Sequence, residues 1–245
     1  MDKRWYQLGD ILVNYSTQVK NGERVMIAMH EVETLPLART TYEAVIKAGG
    51  LPQIQFLSET LRHSLLQHGT EEQISWVPEI ETYGMEWADV YIGLRGAHNL
   101  SELVDIPTEK LSLNQRAMGK VSTLRWEKTR WTLVRVPNEA FAMQAETDEE
   151  TITDMFFNAC LIDWPTASKD WFRLAKILEQ GNEIQITGKG TDLRFSVSGR
   201  KWVAADGRIN MPDGEIFTSP ITETIDGCIQ FEFPGVFGDP LFENG

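Results

Sequence analysis

The segment NMPDGEIFTSP, residues 210–220, places one carboxylate at a defined point in the chain. Met211-Pro212-Asp213-Gly214 has Pro and Gly where a tight turn needs them, and Ile216, Phe217 and Thr218 are strand formers. Glu215 lies between the two, where the chain leaves the turn and enters the strand. A carboxylate whose backbone is held on both sides is suited to ligating a metal. A single Glu cannot hold a metal alone, and most of the 36 acidic residues are solvated. On these residues by themselves, Glu215 is a polar group at a strand mouth.

Other reactive side chains are sparse. The four histidines are His30, His63, His68 and His98. His63 and His68, five apart, fall on different faces of a helix and make poor metal partners. His30 and His98 each follow an apolar strand-like run, at the strand exits where α/β sheets place ligands, and Arg95 near His98 could bind an anion. For both histidines the favoured reading is a polar residue at a strand exit, and for Arg95 a solvated arginine. Gly188-Lys189-Gly190 is followed by a strand rather than a helix, so it reads as a hairpin loop and not a phosphate cradle. There is no GxSxG and no HExxH. Cys160 and Cys228 lack a nucleophile motif and are expected in the core. No catalytic or cofactor-binding residue is assigned by these patterns.

The elements that must position these groups follow from periodicity. Trp5, Leu8, Ile11, Leu12, Tyr15 and Val19 outline an amphipathic helix over Arg4–Lys20, stopped at Asn21-Gly22. RVMIAM, a helix over Leu37–Ala48, and PQIQFL form a strand–helix–strand unit with short connections, hence a parallel βαβ. Helices are expected at Ser58–His68 and Glu71–Met85, and a third strand at Ala88–Leu94. KVSTLRW and WTLVRVP, from Lys120 and Trp131, read as a fourth and a fifth strand. Two helices follow, the first with Asp148, Glu149 and Glu150 in its opening turn and the second ending at Gly181. Beyond them, residues alternate with period two, and Ser198-Gly199 and Asp206-Gly207 are hairpin signals. The expected fold class is α/β: an open, mostly parallel α/β sheet in an N-terminal domain, 1–180, followed by a β-rich segment, 181–245.

Composition narrows the function. The chain has 245 residues, 42% hydrophobic and 10% aromatic, enough for a real core. Its formal net charge of -13 repels phosphate backbones, so nucleic acid is not expected as a partner. The N-terminus has no signal-peptide pattern and no apolar run is long enough to span a bilayer, which points to a soluble cytoplasmic protein without a membrane partner.

The stretch GTDLRFSVSGRKWVAADGRINMPDGEIFTSPITETIDGCIQF resembles the core signature of the M29 metallo-aminopeptidases, the thermophilic aminopeptidase T and S group. LGDILVNYSTQVKNGERVMI and YEAVIKAGGLPQIQ are similar to the family's opening helix and first βαβ unit, so the likeness covers nearly the whole chain. The resemblance implies an exopeptidase that removes N-terminal residues from peptides. It implies two divalent metal ions (Zn, Co, Mn or Mg) in a catalytic domain that begins at the β-rich segment, with Glu215 as one ligand, and a homodimer. The family's other ligands lie in glycine-rich segments beyond the point where this sequence ends. The terminal Asn244-Gly245, a hairpin signal with no second strand behind it, agrees with an expected continuation. Two other readings stay open: a non-catalytic binding or oligomerisation relative that has lost the metal centre, and the related scaffold used for iron-dependent ring opening of hydroxypyridines.

Overall fold

The computed structural model describes residues 2–232, with the strand backbones at 235–236 and 241–242; the Asn244-Gly245 turn signal lies outside the described residues. The chain packs as two compact units, Met1–Trp164 with Asp206–Asp213, and Pro165–Ala205 with Gly214–Gly245.

The first unit opens with α1 (Lys3–Asp10), capped by the Asp2 carboxylate, which accepts from the Arg4 backbone N–H at 2.9 Å. The expected helix does not continue as an α-helix. From Ile11 to Ser16 it widens into a π-helical turn, closed where the Thr17 backbone N–H and hydroxyl both donate to the Leu12 carbonyl at 3.0 and 2.7 Å. Then come β1 (Arg24–His30), α2 (Leu35–Lys47) and β2 (Leu51–Leu57), with β1 and β2 paired in parallel as the βαβ reading requires. Gly9 allows α1 to cross α2 closely: a Cβ there would meet the Thr40 backbone carbon at 2.9 Å.

Three helices, α3 (Glu59–His68), α4 (Glu71–Ser75) and α5 (Glu79–Trp87), lead to β3 (Val90–Arg95), which pairs with the other side of β1. The next element corrects the sequence reading. Lys120–Trp126 is not a strand; it is the second half of α6 (Thr108–Lys128). Its buried residues are Asn114, Ala117, Val121 and Arg125, a helical stripe. Two of the four are polar, so a count of apolar residues alone cannot see the stripe, and the β-branched Val121 and Thr123 look strand-like in isolation. The fourth strand is β4 (Arg130–Arg135), parallel to β3.

Side chains alternate across this sheet. Met26 and Ala28 of β1 face α5 and α6, in a cluster with Met85, Ala88, Tyr91 and Val121. Val25 and Ile27 are fully buried on the opposite face. Two helices follow, α7 (Glu139–Gln144) and α8 (Glu149–Cys160); Asp148 caps α8 by accepting from the Thr151 backbone N–H at 2.8 Å, with Glu149 and Glu150 in its first turn.

The helix α9 (Trp164–Leu178) leads into the second unit. There β5 (Glu183–Gly188) and β6 (Thr191–Ser196) form an antiparallel hairpin through Lys189-Gly190, as expected, with Gly190 at φ +66°. A short β7 (Val203–Ala205) follows. Asp206-Gly207 is not a hairpin turn. The chain re-enters the first unit, where β8 (Asn210–Met211) lies parallel to β4 as a fifth strand, completing the sheet order β2-β1-β3-β4-β8. Back in the second unit, β9 (Glu215–Phe217) pairs antiparallel with β7. There too, β10 (Asp226–Cys228) pairs with β6. Two short strands, β11 (Gly235–Val236) and β12 (Leu241–Phe242), pair with each other. The fold class is mixed α/β with an open, parallel five-stranded sheet plus antiparallel β-structure, as read from the sequence.

Candidate functional site

The segment that carries the resemblance divides into structural and exposed parts. Asp206-Gly207 is structural. Asp206 is buried, its backbone carbonyl accepts from the Tyr15 hydroxyl at 2.9 Å, and its carboxylate accepts from the Arg208 guanidinium at 2.7 Å. The Ser16 hydroxyl donates to the Gly207 carbonyl at 2.6 Å. Gly207 sits at φ +82° against the Trp164 indole, where a Cβ would come within 2.7 Å of the ring. Backbone angle and space both demand glycine here. Met211, buried on β8, holds the near side of the turn in the first sheet.

The far side of the turn belongs to the second unit. Gly214 has φ +124°, and a Cβ would lie 3.0 Å from the Trp171 ring of α9. Glu215 is the first residue of β9, paired opposite Ala205, with an exposed side chain. Beyond it the Thr218 hydroxyl donates to the Lys201 carbonyl at 2.9 Å, and the Arg200 guanidinium to the Pro220 carbonyl at 3.1 Å. Glu215 thus has a backbone fixed on both sides and a carboxylate open to solvent, a placement compatible with holding a cation. It is a single ligand, however. Among the described residues no three His, Cys, Asp or Glu side chains come together as a metal site, so these residues alone do not fit a two-metal centre.

The four histidines belong to the first unit and Glu215 to the second. His63 hydrogen-bonds the Asp105 carboxylate at 2.9 Å, and His68 ends α3. His98 is exposed and bonds Glu33 at 2.9 Å, a contact that raises its pKa, on the wall of an open cleft of about 750 Å³. Cys160 is buried and its thiol is pushed up by desolvation, whereas Cys228, expected in the core, is exposed. His30 and Arg95 end β1 and β3, as their strand-exit reading has it; Arg95 is exposed and His30 half-buried, and both line a cavity of about 170 Å³ at the C-terminal ends of those strands. There burial, with Arg95 and Arg125 nearby, lowers the His30 pKa to about 4. No spacing in the sequence marks this group, because its members come from separate strands and helices.

The fold and the MPDGE segment define a class. The chain belongs to the M29 family of thermophilic metalloproteases, whose profile matches residues 1–244. Among solved structures, wild-type AmpT from Thermus thermophilus has a TM-score of 0.84 at 21% identity, over 98% of this chain and 67% of that one. The 2,5-dihydroxypyridine dioxygenase from Pseudomonas putida KT2440 has a TM-score of 0.52 at 13% identity, over 89% of this chain and 56% of that one. At such identities the likeness is one of fold. This chain therefore spans about two thirds of the length of the first and just over half of the second. No curated protein matches it by sequence.

Proposed function

We propose that this protein is a metal-dependent aminopeptidase, removing N-terminal amino acids from peptides, with Glu215 as one ligand of its metal centre. The observation that supports this reading is the family match, which runs through the MPDGE segment and includes Glu215. The exposed, backbone-anchored carboxylate on β9 is consistent with it. In this reading 1–180 is an α/β domain and 181–245 opens the catalytic domain. When bound, divalent ions would supply an activated water and a polarised carbonyl. The described residues contribute one candidate ligand, so no catalytic step follows from them.

A second reading stands beside it: a binding or oligomerisation relative without the metal centre. One experiment separates the two. Aminoacyl p-nitroanilides are offered to the full-length protein with Zn²⁺, Co²⁺, Mn²⁺ or Mg²⁺, before and after chelation, and its bound metal is measured. The peptidase reading expects hydrolysis that needs the metal and is lost in Glu215→Gln. Hydrolysis that survives both chelation and the substitution overturns the assignment. Absence of both hydrolysis and bound metal supports the non-catalytic reading.

The acidic surface disfavours nucleic acid. Among the described residues no helix is long and apolar enough to cross a membrane; a cytoplasmic location and soluble peptide substrates are part of the proposal. A homodimer is part of the same proposal, and light scattering on the eluting protein tests it.

A further inference from the structure

The cavity beneath α5 and α6 gathers opposite charges that do not neutralise one another. Arg125 of α6 is 9% exposed, and its Nε has no hydrogen-bond partner. The polar interaction it does make is with the neutral Tyr91 hydroxyl, and its guanidinium lies against the Trp131 ring, 4.8 Å from the centroid. Arg95, exposed at the end of β3, also lines the cavity. Glu81 of α5, half-buried, lines the same space, with the Gln55 side chain beside its carboxylate. Among the described residues neither guanidinium forms an ion pair with Glu81. His30 completes the lining as a neutral imidazole.

Desolvated charges without counter-charges are costly, and structures tolerate them where a ligand supplies the missing partner. An anion alone would pair the buried Arg125 and the exposed Arg95 and leave the half-buried Glu81 without a counter-charge; a cation alone would do the reverse. The cavity lies where parallel sheets bind ligands, at the C-terminal strand ends. Its volume of about 170 Å³ suits a molecule of a few heavy atoms. A wider apolar groove lined by Ile54, Phe56, Ile80 and Trp87 shares Gln55 and Glu81 with it, offering room for a hydrophobic substituent.

We propose that this cavity binds a small zwitterion of the free α-amino-acid class, its carboxylate on Arg95 and Arg125 and its ammonium on Glu81. The inference stands on residues of the first unit and does not depend on the peptidase reading. If that reading also holds, the occupant is of the class the reaction releases.

Calorimetric titration of the chain tests it, with a chelator present so that no metal-held amino acid contributes. The three probes are leucine, 4-methylpentanoate, which lacks the ammonium, and 3-methylbutylamine, which lacks the carboxylate. Leucine is expected to bind saturably at one site, with each truncated probe about tenfold weaker or worse, because each leaves a charge of the cavity unpaired. Glu81→Gln should weaken leucine toward the level of 4-methylpentanoate and leave 4-methylpentanoate itself little changed. Arg95→Gln should weaken both. Equal affinity for leucine and 4-methylpentanoate would mean a plain anion pocket and overturn the proposal, as would no binding of any probe at millimolar concentration. The probe series on the unsubstituted chain decides the matter even where a variant fails to fold.

Discussion

At the scale of single residues, Glu215 is the exposed acid at a strand mouth that its neighbours suggest, and only the surrounding signature singles it out; His30, a polar residue at a strand exit, is half-buried against a cavity. Because the Glu215 side chain is exposed, Glu215→Gln is expected to change stability by no more than about 0.5 kcal/mol. Circular dichroism melting checks that any loss of metal-dependent hydrolysis in this variant is not a loss of fold. His30 makes a pH prediction. Its folded pKa is about 4 against an ordinary 6.5, so between those values the unfolded chain takes up a proton that the native protein refuses. The associated stability is fully present above pH 6.5 and is lost as pH falls toward 4. Between pH 7 and pH 5 the native protein should therefore lose about 2 kcal/mol more than the His30→Gln variant in urea unfolding. Glu81, raised by burial, titrates with the opposite sign but is common to both proteins and cancels. Equal losses in the two proteins would show that His30 is solvated.

At the scale of elements, two glycines with one backbone angle separate strain from packing. Gly22 and Gly207 both have φ +82°, but a Cβ on Gly22 meets nothing within 4 Å, whereas on Gly207 it meets the Trp164 ring. Gly22→Ala should cost the left-handed backbone alone, about 1–2 kcal/mol. Gly207→Ala should cost that plus overpacking, about 2–4 kcal/mol in all. Chemical unfolding of the two variants measures the difference. Similar costs would mean that Trp164 moves aside freely and that the Asp206-Gly207 turn does not clamp the start of β8. The helix α6 carries the complementary point. Arg125 occupies a core position of its stripe, so this helix gives up apolar packing to bring a cation beneath the sheet.

At the scale of the whole molecule, the charge of -13 and a pI near 4.8 predict a solubility minimum close to pH 4.8, which turbidity against pH will locate. Much of the architecture was legible in the sequence. The β1–α2–β2 unit, β3, β4, α8 and the β5–β6 hairpin all announce themselves through local periodicity, caps and turn residues, signals that act over a few positions. Those same local rules misread α6, since two of its four buried positions are polar, and took Asp206-Gly207 for a hairpin, since nothing nearby tells where the chain goes next. Only the tertiary structure decided that Asn210–Met211 returns to a sheet whose other strands lie before residue 136. It alone brought His30, Glu81 and Arg125 to one cavity, and left Glu215 exposed without a cluster of ligands among the described residues. By itself the sequence determined which segments become helix or strand and which family signature they carry, because those are properties of neighbouring residues. Which polar groups meet depends on contacts across tens of positions, and these form only when the sheet and its helices pack.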